Sequence, residues 1–128
     1  MLKMDKIVIS DTSCLILLTK IGKIDLLQKL YKSVFITPEI KNEFNQILPD
    51  FIEILEVTDK QKQLLLEFQI DKGESSGIAL ALEIPEAIII LDDNKARKIA
   101  RKLSLNVTGT LGVIINAKKR GFIDNAIK

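Results

Sequence analysis

Five consecutive apolar residues, from Ala87 to Leu91, restrict the fold of this chain more than any other segment. A strand that faces water on one side alternates apolar and polar residues, whereas this segment has no polar position. It therefore predicts a strand that is covered on both faces, as the strands of a parallel sheet are. The run from Lys6 to Ser10 has three β-branched residues and predicts a second buried strand, which ends at Asp11.

Helical patterns alternate with the strand-like runs along the chain. We predict strands at residues 6–10, 33–36, 87–91 and 106–108, with a weaker candidate at 51–57. We predict helices at residues 12–20, 23–31, 38–48, 74–83, 94–103 and 110–121, and one between a cap at 58–59 and a break at 71–73. Alternating strands and helices are typical of an α/β protein. The predicted fold is a three-layer α/β/α sandwich around a central parallel sheet.

Two of these helices have apolar residues at a spacing that predicts their buried sides. The predicted buried residues are Ile40, Phe44 and Ile47 in the third helix, and Leu64, Leu65 and Phe68 in the fourth. Thr37 is the predicted cap of the third helix, since Pro38 fits its first position. Glu43 lies on the border of the apolar stripe of that helix.

Length and composition limit both the domain organisation and the chemistry. The chain has 128 residues, so we expect a single domain over residues 1–128. It has no histidine, which excludes serine and cysteine triads and most zinc sites. Its single cysteine, Cys14, and the lack of a secretory or membrane-spanning segment predict a cytoplasmic protein that does not contact membranes.

Carboxylates occur where strands end. Asp11 follows the first predicted strand, and Asp92 and Asp93 follow the strand at 87–91. Ligands of a parallel sheet bind beyond the carboxyl ends of its strands, so neighbouring strands would bring these acids into one crevice. Glu43 and Glu74, the latter at a helix start, are further candidates. Taken singly, the acids also fit as helix caps, as a dipole-stabilising residue or as a boundary glutamate.

Taken together, the acids favour a cation site. Four or five carboxylates within about 4–6 Å of one another repel by several kcal/mol per close pair unless a cation compensates them. Oxygen ligands without histidine or a cysteine cluster favour Mg²⁺ or Mn²⁺. Such ions activate water and neutralise charge on a phosphate, so the sequence is consistent with phosphoester hydrolysis.

The net charge of +2 is unevenly distributed. Residues 1–93 hold 16 acids and 10 bases, whereas residues 94–128 hold one acid and nine bases. The helix after Asp93 has Lys95, Lys98 and Lys102 on one side and two arginines, Arg97 and Arg101, on another, and residues 118–120 extend the basic region. A basic flank beside an acidic pocket fits a polyanion, although solvated helix faces explain the same pattern.

Five segments together resemble the PIN domain family. In chain order they are IVISDTS at 7–13, TPEIKNE at 37–43, ESSGIALA at 74–81, LDDNKAR at 91–97 and VTGTLG at 107–112. No single segment is specific, but their order covers almost the whole chain. The last one resembles a stretch found in one prokaryotic branch of PIN-like proteins.

The resemblance implies Mg²⁺- or Mn²⁺-dependent cleavage of single-stranded RNA. It implies metal ligands at Asp11, Glu43 and either Asp92 or Asp93, with Glu74 in the catalytic set as a direct or indirect ligand. We favour Asp92 as the ligand and Asp93 as a helix cap or an outer ligand, because adjacent strand residues point to opposite faces. Thr12 and Ser13 are expected to orient Asp11.

Many small PIN proteins resemble VapC-type toxins, so the same likeness implies an antitoxin protein as partner and a homodimer. The first two helices are the expected dimer surface. The chain departs from the family pattern in having Glu74 where aspartate is usual, and in stopping at Lys128. We therefore expect a single PIN-like domain that is shortened at its C-terminal helices.

Other functions fit parts of the pattern. The main alternative is a catalytically silent PIN-like module that binds RNA or a protein through the same crevice. A phosphatase with Asp11 as nucleophile is disfavoured, because Ser13 stands where such enzymes have a second aspartate. A response-regulator receiver is excluded, since its acidic pair follows the first strand rather than a late one.

Overall fold

The computed structural model describes residues 4–123, and within them five strands form one parallel sheet. The strands are β1 (Met4–Ile9), β2 (Tyr31–Ile36), β3 (Ile52–Ile54), β4 (Ile88–Ile90) and β5 (Asn106–Thr108). Their order in the sheet is β3-β2-β1-β4-β5, and β1 and β4 are parallel neighbours at its centre. The predicted parallel sheet is confirmed, including the weak candidate strand, of which three residues pair with β2.

Seven helices connect the strands in the described part of the chain. They are α1 (Thr12–Lys20), α2 (Leu26–Leu30), α3 (Pro38–Phe44), α4 (Lys60–Leu66), α5 (Lys72–Glu83), α6 (Asn94–Lys102) and α7 (Thr110–Lys119). None of these helices between residues 4 and 123 has the length and apolar character needed to cross a bilayer.

The helices cover both faces of the sheet, so successive strand residues point into two different hydrophobic cores. Val8 and Ile90 belong to a core that also contains residues of α1, α2, α3 and α7. Ile9 and Ile89 belong to a second core with residues of α5 and α6 and with Leu66 of α4. This alternation explains why the apolar run at 87–91 has no polar position, and it confirms the three-layer α/β/α sandwich.

The third helix is shorter than predicted. It ends at Phe44, because Asn45 adopts a left-handed conformation with φ of 50°. Such a residue terminates a helix, and asparagine tolerates this conformation better than most residues. Ile47 therefore lies beyond the helix and is 96% exposed, so its predicted burial is wrong, whereas Ile40 and Phe44 are buried as predicted.

The fourth helix buries a different side from the one predicted. Leu64, Leu65 and Phe68 are 57%, 67% and 82% exposed, respectively. The buried residues are instead Gln63 and Leu66, with Ile70 just beyond the helix. Three leucines in succession allow more than one apolar face, and packing in the second core selects the face that contains Leu66.

Other boundaries differ by a few residues. α2 begins at Leu26 and ends at Leu30, because Tyr31 already belongs to β2. α5 begins at Lys72 within the predicted break, since Asp71 caps it. Gly121 follows α7 with φ of 82°, which confirms its predicted role at the helix end. The expectation of missing C-terminal helices concerns chain beyond residue 123 and lies outside the described residues.

Candidate functional site

The pairing of β1 with β4 brings two predicted site residues together. Ile9 is in register with Ile89, so the residues that follow both strands emerge at the same edge of the sheet. The backbone N–H of Asp92 donates a hydrogen bond of 2.9 Å to Oδ2 of Asp11. The prediction that these strands are neighbours is confirmed.

Asp11 is buried, with 8% of its surface exposed. Its Oδ1 accepts a hydrogen bond of 2.8 Å from the backbone N–H of Cys14, so the residue caps α1 as well as binding Asp92. Burial raises the pKa of Asp11 to about 7, and the negative charges of Asp92 and Glu74 act in the same direction. The carboxyl is thus held rigidly at a position where its negative charge is poorly solvated.

Glu43 and Glu74 share a crevice with Asp11. The crevice has a volume of about 50 Å³ and is lined by Asp11, Thr12, Ser13, Glu43, Asp71 and Glu74. The hydroxyl of Thr12 donates a hydrogen bond of 2.5 Å to Oε1 of Glu43. Thr12 therefore orients Glu43, and the expectation that its hydroxyl orients Asp11 is not met.

Gly73 gives Glu43 the space it occupies. A Cβ atom at this position would overlap both carboxylate oxygens of Glu43, so any larger residue would displace that side chain. Gly73 is buried in the first turn of α5. The glycine just before the third family-like segment therefore has a physical reason, which is the close approach of α3 to α5.

Glu74 combines a structural and an electrostatic role. It forms a capping box with Asp71, in which Asp71 accepts from the Glu74 N–H and Glu74 accepts from the Asp71 N–H. The pKa of Glu74 is raised to about 7, mainly by partial burial and then by the negative charges of Asp71, Asp93 and Glu43. The local role predicted for an acid at a helix start is real, but the side chain also faces the acidic crevice.

Asp92 and Asp93 have different hydrogen-bond partners. Asp92 Oδ1 accepts from the Thr110 N–H at 2.8 Å, and its Oδ2 accepts from the Thr110 hydroxyl at 2.6 Å. Asp93 caps α6 by accepting from the Ala96 N–H at 2.9 Å. Both lie beyond the end of β4, where strict alternation of strand faces no longer applies. Asp93 is a helix cap as expected, and the choice of metal ligand between the two stays a prediction.

Three residues of the site were missed or misassigned from sequence. Asp71 was predicted to break a helix but lines the crevice, and the spacing Asp-x-x-Glu of a capping box signals this. Thr110 holds Asp92, and no local pattern identifies that contact. Arg97 was predicted to contact phosphate, but its Nη1 donates to the Leu91 carbonyl at 2.8 Å. Its half-buried guanidinium therefore anchors α6 to the end of β4.

The acids are less tightly grouped than the sequence argument requires. Within residues 4–123, no three acidic or thiol side chains are close enough to hold a single metal ion. The donor set is nevertheless chemically suited to a hard divalent cation, because it consists of carboxylates whose charges raise one another's pKa. The crevice also has room for an ion with a few waters. Binding one ion to three of these acids requires some side-chain rearrangement.

Comparison with known proteins agrees with the fold. No curated protein matches the chain. A family model described as a PIN domain matches residues 7–128, which include every segment that carried the resemblance. PIN domains are generally nucleases, so the fold is of a nuclease type. Because this match covers nearly the whole chain, the protein belongs to the PIN domain family.

Proposed function

We propose that this protein is a Mg²⁺- or Mn²⁺-dependent endoribonuclease that hydrolyses phosphodiester bonds of single-stranded RNA. The observation that carries the proposal is the acidic crevice at the carboxyl ends of β1 and β4. Asp11, Glu43, Asp71 and Glu74 line it, and Asp92 is hydrogen-bonded to Asp11 beside it. Carboxylates in a PIN domain are the expected donors for a hard ion.

Asp11, Glu43 and either Asp92 or Asp93 would hold the ion. When bound, Mg²⁺ or Mn²⁺ would lower the pKa of a water molecule, align that water for in-line attack, and neutralise charge at the phosphate. The chain contributes by restraining two of these carboxylates before the ion binds, while the third acid must move to complete the site. Two backbone N–H groups hold Asp11, and the Thr12 hydroxyl holds Glu43.

Glu74 is suited to proton transfer. Its pKa of about 7 lets the carboxyl gain or lose a proton near neutral pH, the range in which a general acid or base works best. Its Oε1 accepts weakly from the Asp71 N–H at 3.4 Å, so this bond leaves the carboxyl free to exchange a proton with solvent in the crevice. We assign Glu74 to proton exchange with the attacking water or the leaving oxygen.

The decisive experiment is cleavage of fluorescent single-stranded RNA by purified wild type and Asp11→Asn. We expect Mn²⁺-dependent cleavage by the wild type, its suppression by a chelator, and its loss in Asp11→Asn. Asp50→Asn is a matched control, because Asp50 is exposed and lies outside the crevice lining. Equal cleavage rates for wild type and Asp11→Asn would contradict the proposal.

One observation favours the silent RNA- or protein-binding module as a second candidate. Among the described residues, no three acids are close enough to bind one ion, and this is the arrangement expected of a PIN domain that has lost catalysis. The same assay separates the two candidates. A silent module binds RNA without cleaving it at any Mn²⁺ concentration, and Asp11→Asn leaves that binding unchanged.

We also propose that the nuclease acts as the toxin of a toxin–antitoxin pair. Support comes from the family and from the resemblance to small prokaryotic PIN proteins. Induced expression in bacteria is expected to arrest growth for the wild type and not for Asp11→Asn. Light scattering after size-exclusion chromatography tests the predicted homodimer, and Leu17 and Ile21 are the exposed apolar residues at its expected surface. Normal growth at high wild-type expression would argue against a toxin.

A further inference from the structure

Helix α6 presents an exposed row of positive charges. We define the α6 basic ridge as Lys95, Lys98, Arg101 and Lys102, which are all exposed. No hydrogen bond or ion pair joins the side chain of any of the four to another residue of the range 4–123. Some other exposed lysines are paired, such as Lys29 with Asp25 and Lys60 with Glu56, so the ridge is distinguished by having four exposed cations side by side on one helix.

Folding alone does not explain the ridge. α6 packs into the second core through Ala96 and Ala100, so its cations contribute little burial. Lys95 lies in the first turn of a helix that has no acid there, although a cation at this end opposes the helix dipole. Five cations and no acid in nine residues also repel one another. Arg101 and Lys102 in the last turn complement the helix dipole, whereas Lys95 and the mutual repulsion of the cations oppose folding. Folding thus accounts for only part of the ridge, which favours a role in binding an anion.

The ridge starts beside the acidic crevice. Asp93 caps α6 and directly follows Asp92, whose N–H donates a hydrogen bond of 2.9 Å to Asp11 in the crevice lining. From Lys95 to Lys102 the helix advances by about 10 Å at 1.5 Å per residue. A polyanion with one phosphate at the crevice would therefore find compensating charges along α6 for the neighbouring phosphates.

Further acids lie on α3, the helix that carries Glu43, and just after α4. Glu39 and Glu67 both accept hydrogen bonds from the side-chain amide of Gln63, at 2.8 and 3.1 Å, between α3 and α4. Glu43, one turn after Glu39 on α3, faces the crevice itself. Negative charge on these helices repels a phosphate backbone, whereas the α6 basic ridge attracts one.

The lysines at the end of α7 do not extend the ridge. α7 packs into the first core with α1 and α2, whereas α6 packs into the second, so the two helices cover opposite faces of the sheet. Lys118 and Lys119 are exposed in the last turn of α7. The predicted extension of the basic region to residues 118–120 is therefore wrong, and this pair of lysines becomes a matched control.

We propose that the α6 basic ridge binds the sugar–phosphate backbone of the RNA on one side of the bond that is cut. The inference rests on the proposed nuclease function, and it adds that the RNA runs from the crevice along α6. Four cations spread over this length neutralise about two or three phosphates. Arg97 takes no part, because its guanidinium is bonded to the Leu91 carbonyl.

The test compares two double variants that each remove two exposed lysines. They are Lys98→Gln with Lys102→Gln on α6, and Lys118→Gln with Lys119→Gln on α7. Binding of a fluorescent RNA of about 12 nucleotides is measured by anisotropy in a chelator, between about 0.05 and 0.3 M salt. For the α6 pair we expect the slope of log K against log salt to be smaller by about 0.7 to 1, and the affinity to be lower by about 5- to 10-fold at 0.1 M salt. For the α7 pair we expect wild-type values.

Cleavage assays separate this inference from the nuclease proposal. With Mn²⁺, the α6 pair is expected to raise KM for the long RNA and to leave kcat and the cleavage of a trinucleotide unchanged. An unchanged salt slope in the α6 pair, or an equal loss in the α7 pair, would overturn the ridge while Asp11→Asn still abolishes cleavage. Weaker binding by the α6 pair together with unimpaired cleavage by Asp11→Asn would instead keep the ridge and overturn the nuclease proposal.

Discussion

The backbone N–H of Asp92 donates a hydrogen bond of 2.9 Å to Oδ2 of Asp11, although 81 residues separate them in the chain. This bond joins the carboxyl ends of β1 and β4, the two central strands of the sheet. Because Asp11 also accepts from Cys14, both of its oxygens bind backbone N–H groups from different parts of the fold. The carboxyl that the family resemblance places at the centre of the site is also a tether of the fold.

The metal-free protein is expected to become more stable as the pH falls from about 8 to about 5.5. Asp11 has a pKa of about 7 in the folded protein and an ordinary value of 3.8. Between these values the folded state holds a proton that the unfolded chain has lost, so stability decreases as pH rises. We expect a gain of about 1–3 kcal/mol at the lower pH, measured by chemical denaturation. Asp11→Asn should reduce this dependence to about half, because Glu74, whose pKa is also raised to about 7, still contributes, and an equally steep slope in that variant would contradict the assignment.

Gly73→Ala is expected to reduce cleavage about 10- to 100-fold, because its Cβ displaces the Glu43 carboxylate from the crevice. The free energy of unfolding should change by less than about 1 kcal/mol, since the displaced atoms end a flexible side chain and alanine favours the helix. Gly77→Ala in the same helix is the control, because its Cβ would lie 3.5 Å from Ile89 and 3.6 Å from Ile40. Equal activity of the two variants would show that Glu43 is not needed at this position.

Thr110→Val is expected to lower both stability and cleavage. The change removes the hydroxyl that donates to Asp92 Oδ2, and a lost hydrogen bond to a charged group costs about 1.5–3 kcal/mol. Thr110→Ser keeps the hydroxyl and should restore activity to near the wild-type rate. Stability is measured by denaturation and activity by the RNA assay. If serine and valine behave alike, the hydroxyl does not position Asp92.

Phe68→Ala is expected to change the free energy of unfolding by less than about 0.5 kcal/mol, because the ring is 82% exposed. Ile70→Ala should cost about 2–4 kcal/mol, since Ile70 is buried in the second core. Urea denaturation of both variants checks which side of α4 faces the protein. A larger loss for Phe68→Ala would mean that the pattern-based face was right after all.

Local patterns were sufficient for much of the architecture. The apolar runs at β1 and β4 predict buried strands, because the lack of polar alternation is a property of the segment itself. Asp11, Thr37 and Asp93 were recognisable as helix caps, since each bonds to an N–H only three residues away. The order of the acidic segments was enough to indicate the family.

The sequence alone did not determine which face α4 buries or how far α3 extends. The choice between Leu65 and Leu66 depends on the second core, to which residues from distant segments contribute. The end of α3 at Asn45 depends on one left-handed residue, which a helical stripe continuing to Ile47 conceals. Non-local packing therefore overrode locally reasonable patterns at both places.

The sequence by itself determined that acids follow the central strands of an α/β sandwich, because strand type and helix caps are set by neighbours in the chain. Only the tertiary structure decided how these acids meet: Asp92 through the Thr110 hydroxyl, Glu43 through Thr12 and the space at Gly73. These contacts join segments that are far apart in the chain, and no local periodicity encodes a distance between them. The tertiary structure likewise decided that the Arg97 side chain bonds to the Leu91 carbonyl, whereas the neighbouring cations of α6 stay exposed.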